Sequence, residues 1–171
     1  MTLLEFFSPP SSRFHMIPKE FSAEFDSLLH AKEWQKELNV IEMDASRCIN
    51  KRSLFNEWKT QLELPFYFSD NWDSLDECIN DLSWFPEKKG FLLVIRNSED
   101  LLKEQEEDLS ICLEILNDAI QEWKSGRAYD DFPDPPTAFN VVLICEKGFM
   151  EGLTEKLLNI EESEFHIVTN V

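Results

Sequence analysis

Apolar residues along this chain recur in two rhythms that alternate from about residue 22 to residue 168. Short apolar runs at Val40–Asp44, Phe91–Ile95, Phe139–Cys145 and Phe165–Val168 predict strands, and the unbroken ones are of the kind buried on both faces of a sheet. Between them lie stripes at helical spacing. Phe25, Leu28, Leu29 and Trp34 predict a helix within Ser22–Leu38, and Leu54, Phe55, Trp58 and Leu62 one at Ser53–Leu62 with Ser53 as its N-cap. Pro65 interrupts the chain before a third stripe at Asn71–Leu82; a fourth runs over Leu109–Trp123 and a fifth over Gly152–Ile160. Pro133, Pro135 and Pro136 make Arg127–Thr137 a loop. Strands separated by helices predict an α/β domain with a small, mainly parallel sheet. The first stretch, Met1–Phe21, holds Pro9, Pro10 and Pro18 and fits neither rhythm. The expected division is therefore an N-terminal extension over 1–38, with a docked helix at 22–38, and a domain over 39–171.

The stripe at Asn71–Leu82 is sharply two-sided. On a wheel of roughly 100° per residue, Trp72, Leu75, Cys78, Ile79 and Leu82 share one arc, while Asp73, Asp76, Glu77, Asn80 and Asp81 gather opposite. Asp73–Glu77 and Glu77–Asp81 are like charges at i,i+4, and each such pair costs a helix about 0.2–0.5 kcal/mol. The helix dipole compensates only Asp73, near the N-terminus. No Lys or Arg occurs from Thr60 to Glu87. A later face, Glu114, Asp118 and Glu122, repeats the acidic i,i+4 spacing with Lys124 nearby. A solvated helix surface accounts for the charge, although a helix selected only for stability would more usually place Lys at one of these positions.

Charge and composition narrow the function classes. The chain has 171 residues, 34 Asp+Glu against 16 Lys+Arg, and a formal charge of −18. Such a surface repels nucleic-acid phosphates and anionic membranes, and steers basic partners in. Cys48, Cys78, Cys112 and Cys145 form no CxxC pair and read as buried free thiols in a reducing cytoplasm. No apolar run approaches the length of a membrane span, and the start MTLLEFFSPP lacks a basic n-region. The four glycines form neither GxGxxG nor a phosphate loop. His15, His30 and His166 are isolated, with no metal-ligand spacing. Asp130, Asp131 and Asp134 read as a solvated loop. No enzymatic activity, cofactor or metal is expected.

The stretch Leu64-Pro-Phe-Tyr-Phe-Ser-Asp-Asn-Trp-Asp-Ser-Leu-Asp-Glu-Cys-Ile-Asn-Asp-Leu82 resembles the motif of the barstar family, intracellular inhibitors of secreted ribonucleases. Its Leu-Pro step, aromatic pair, small residue, Asn, apolar residue, two acids and Cys fall on Leu64, Pro65, Tyr67, Phe68, Ser69, Asn71, Trp72, Asp73, Glu77 and Cys78. The likeness continues to Phe85-Pro86 and, in element order, from about Val40 to Cys145. It implies a barstar-like α/β fold, with an extra C-terminal helix and strand, in which the helix after the aromatic pair plugs a basic nuclease site. It further implies that Tyr67 packs on the enzyme, that Asp73 and Glu77 meet its phosphate-binding Arg and Lys, and that Asn80 is a polar contact. Asn71, Asp76 and Asp81 complete the expected partner face, and Asp118 and Glu122 a secondary one. Three departures are visible: Glu77 where the family has Asp, Asp76 and Leu82 where it has Trp, and terminal segments without counterpart. The expectation is a cytoplasmic monomer forming a 1:1 complex with a basic ribonuclease. An immunity protein against another nuclease toxin, such as a DNase, or an acidic adaptor for a basic non-nuclease client are the alternatives.

Overall fold

The structure is a computed structural model that describes residues 12–128 and 133–169. The first part of the expected extension, and Asp130 and Asp131 of the proline-rich loop, lie outside the described residues. Five strands run in the order β2 (Leu38–Asp44), β3 (Gly90–Arg96), β4 (Ala138–Cys145), β1 (Phe14–Pro18) and β5 (Phe165–Ile167). Every pairing is parallel. Such pairing requires crossovers, and helices supply them. α1 (Ser22–Leu29) and α2 (Lys32–Glu37) link β1 to β2; α3 (Lys51–Gln61) and α4 (Trp72–Asp81) link β2 to β3; α5 (Glu106–Ser125) and α6 (Met150–Leu158) serve β3–β4 and β4–β5.

The sheet separates two cores. Phe25, Leu29 and Trp34 of α1 and α2 pack on Ile17, Leu92, Val94, Val142 and Ile144. The alternate residues Met16, Ile41, Leu93, Val141 and Leu143 face α3–α6. Burial on both faces accounts for the unbroken apolar runs of β3 and β4. At Gly90 a Cβ would stand 2.6 Å from the Ala138 carbonyl, so the approach of β3 to β4 requires glycine there.

The segment expected as an extension instead supplies an inner strand. Phe14–Pro18 is buried throughout and pairs with β4 on one side and β5 on the other. His15 and Pro18 disguise it in sequence. His15 is accommodated because its Nε2 lies 2.9 Å from Asn140 Oδ1 on β4, a partner 125 residues away. The expected helix over 22–38 is two helices broken at His30–Ala31, and Leu38 already belongs to β2. Asn50, not Ser53, caps α3; Ser53 is the reciprocal member of its capping box.

In open α/β sheets, ligands enter at the carboxyl ends of strands where the winding reverses. Here that point lies beside β1 and β4, and Lys19, just after β1, reaches Glu99 at 3.2 Å and Glu146 at 3.0 Å. The turn that follows β1 is thus an internal ion-pair set with no glycine.

Candidate partner-binding face

α4 is fastened at both ends. Asn71 Oδ1 accepts from the Ser74 backbone N–H at 2.8 Å, and Ser74 Oγ accepts from the Ser69 N–H at 3.1 Å. Asn71, expected to touch a partner, therefore caps the helix, although its residue surface is exposed. At the other end the last carbonyls, which a helix leaves without internal partners, are taken up by neighbours. Trp123 Nε1 donates to the Ile79 carbonyl at 3.0 Å, and Arg127 Nη2 donates to the Asn80 carbonyl. A cation at this end also suits the helix dipole. Leu82 stops the helix in the left-handed conformation, with φ +46°.

The inner face of α4 is apolar as the stripe predicts: Leu75, Cys78, Ile79 and Leu82 are buried. Each fully buried aliphatic side chain contributes about 1.5–3 kcal/mol. That outweighs the few tenths of a kcal/mol lost at each like-charge pair, so α4 can carry a repulsive outer face without melting.

On that outer face Asp73, Glu77 and Asp81 are exposed. Among the described residues, no Lys, Arg or His nitrogen comes within 4.0 Å of their carboxylates, whereas Asp70, just before the helix, is held by Lys59 at 2.5 Å. Asp76 is half-buried and accepts from Asn80 Nδ2 at 3.2 Å. Its carboxyl is held above the usual carboxylate range by burial, then by the charges of Asp118 and Glu122. Burial and Glu122 likewise push Asp118 up. The two acidic helix faces thus converge on one cleft of about 460 Å³, lined by Asp76, Asp118 and Glu122 with Glu161 and Glu162. Glu122 also pairs with Arg127 at 3.1 Å, which leaves it the least available of the expected acids.

Asn80 departs from expectation. It is only 8% exposed, and its amide turns back onto the Asp76 carbonyl at 3.0 Å. A helical wheel places it outward, but the end of α5 and Arg127 cover that turn of α4. The Asn80 side-chain amide points back into its own helix, donating to the Asp76 carboxylate as well.

Tyr67 stands beside the acidic face, 53% exposed. Partial burial and the negative charge of Asp81 push its phenol above the ordinary value. Phe66 next to it is wholly exposed. Sequence reasoning missed Phe66, Arg127, Trp123 and the Glu161–Glu162 edge of the cleft. Only Phe66 carries a local signal, an aromatic where a turn would favour a small or polar residue.

The profile of a family described as barstar (barnase inhibitor) matches residues 38–139. That span runs from the start of β2 to the second residue of β4 and contains α3, α4 and α5. β1 and β5 lie outside it, on the far side of β4. No curated protein matches the chain. Among solved structures, Cdc6p from Pyrobaculum aerophilum is similar at 11% identity with a TM-score of 0.55, covering 94% of this chain and 38% of its own. A chain from the structure of Drosophila ORC bound to poly(dA/dT) DNA and Cdc6 has 10% identity and a TM-score of 0.54, covering 94% of this chain and 26% of that one. This chain therefore spans well under half the length of either, and at such identities the likeness is one of fold.

Proposed function

Because the chain belongs to the barstar family, we propose that it is a protein inhibitor that blocks the basic active site of a ribonuclease with the acidic face of α4. The observation that carries this reading is that Asp73, Glu77 and Asp81 stand exposed and unneutralised on a helix whose two ends are pinned. A ribonuclease cleft is built of Arg, Lys and His to hold phosphate. Carboxylates on a fixed scaffold take those phosphate positions through charge-assisted hydrogen bonds, bidentate where Arg donates. Tyr67 packs on the rim, and the cleft of Asp76 and Asp118 receives a further cation of the enzyme. Pinning limits the ordering cost of docking, and the net charge of −18 speeds the encounter. Repulsion along α4 is relieved only when the cationic partner arrives.

The four cysteines are free and buried, and burial pushes Cys48 and Cys145 up to about 12. Thiols kept protonated and inaccessible suit a reducing cytoplasm, the compartment proposed here. Among the described residues, no helix is long and apolar enough to cross a membrane.

The test is titration of RNA cleavage by barnase and a panel of other basic ribonucleases with the purified protein. Stoichiometric 1:1 loss of activity for one of them supports the reading. Inhibition confined to a basic deoxyribonuclease moves the target to that class, and binding to none of these enzymes contradicts it.

A further inference from the structure

The loop before α4 carries a feature that charge does not explain. The Phe68 N–H donates to the Pro65 carbonyl at 3.0 Å, which closes a turn with Phe66 and Tyr67 at its two central positions. Turn tips favour Gly, Asn, Asp, Ser and Pro, yet here both tip residues are aromatic. Phe66 is 100% exposed, and its ring meets Tyr67 edge to face at 5.7 Å.

The base of the turn is fixed. Phe68 is buried against Phe55, ring centroids 5.7 Å apart, with Lys59 Nζ 5.6 Å from the Phe68 ring on the way to its ion pair with Asp70. Ser69 Oγ donates to the Tyr67 carbonyl at 3.1 Å. Tyr67 in turn lies close enough to Asp81 and Glu77 to sense their charge. The turn that presents the exposed ring is therefore held beside the acidic face by the fold itself. Aromatic side chains presented on rigid supports are the usual anchors of protein interfaces.

We propose that Phe66 is an apolar anchor that enters a shallow apolar pocket on the rim of the same partner's basic groove. The proposal rests on the reading of α4 given above, and adds that the partner presents apolar surface beside its cations. The acidic face argues for that occupant over a second copy of this chain, since two copies of net charge −18 repel.

The experiment measures association and dissociation rates against the panel ribonuclease that the protein inhibits most strongly, at low and high salt. Wild type, Phe66→Ala, Phe66→Tyr and Asp73→Ala are compared. Phe66→Ala should dissociate about tenfold to a hundredfold faster at both salt concentrations, with an unchanged melting temperature. Phe66→Tyr should retain most of the affinity, and Asp73→Ala should lose affinity together with part of its salt dependence. If Asp73→Ala weakens binding while Phe66→Ala matches wild type, the anchor is overturned and the acidic face stands. If neither variant changes binding, or no ribonuclease is inhibited, both readings fall. Self-association of the wild type that Phe66→Ala abolishes would assign the ring to a second copy and overturn the proposal.

Discussion

Asp76 on α4 and Asp118 on α5 line one cleft, and burial there, followed by the charge of Asp118, raises the proton affinity of Asp76. They lie 42 positions apart in the chain, and the packing of α4 on α5 brings their charges together. The molecule thus concentrates negative charge on two helices that it also packs tightly, at some expense to itself.

That expense is measurable at Asp118, which also repels Glu122 at i,i+4. Asp118→Asn should raise stability at neutral pH by about 0.5 kcal/mol, equivalent to about 1–2 °C in melting temperature. The sign follows from the raised folded pKa: the native state holds its proton more tightly, so the carboxyl destabilises the fold above its folded pKa. The gain from Asn should therefore shrink as pH falls through the raised pKa and vanish below the unfolded one. Melting curves of both proteins from pH 7 down to about pH 3, below the ordinary Asp value, check it.

Asp73 should separate binding from stability. It is exposed, in the first turn of α4, and without a cationic partner among the described residues. Asp73→Ala should remove no more than about 0.3–1 kcal/mol of helix-dipole stabilisation, while costing about 2 kcal/mol or more of complex stability. Denaturant titration and isothermal calorimetry on the same samples give the two figures.

Arg127 should behave in the opposite way. Its guanidinium donates to the Asn80 carbonyl, pairs with Glu122 and lies 5.4 Å from the Trp123 ring. Arg127→Met keeps the stem but leaves the end of α4 held by Trp123 Nε1 alone. A loss of about 1.5–3 kcal/mol is expected, the range for hydrogen bonds to charged groups. Hydrogen exchange should show the last turn of α4 opening more readily than its first.

Removing β1 should be worse than trimming an appendage. A chain lacking residues up to Pro18 loses the strand that pairs with both β4 and β5, and exposes apolar surface on two sheet faces. Absence of a cooperative thermal transition is the expected result. A truncated chain that melts cooperatively within a few degrees of the full one would show that β1 is dispensable.

The alternation of elements, the parallel class of sheet and the two faces of α4 were legible in the sequence because each is a local periodicity. β1 was not: its His15 is rendered neutral to the fold by Asn140, which no local pattern reveals. The acids of α4 were legible as a group, and the wheel placed Asp73, Glu77 and Asp81 correctly at the surface. It misplaced Asn80, since a wheel knows nothing of the neighbouring helix end that covers it. The pairing of Asp76 with Asp118 is likewise tertiary, and only its ingredients could be seen beforehand.

In the proposed complex the unneutralised carboxylates of α4 occupy a ribonuclease's phosphate site. Calorimetric titration of the inhibited ribonuclease with wild type and with Asp73→Ala/Glu77→Ala, at low and at high salt, tests it most directly. Wild type should bind 1:1 and more weakly as salt rises, and the double variant should be weaker by about 2 kcal/mol or more with a shallower salt dependence. A double variant that binds as tightly as wild type, with the same response to salt, would contradict it.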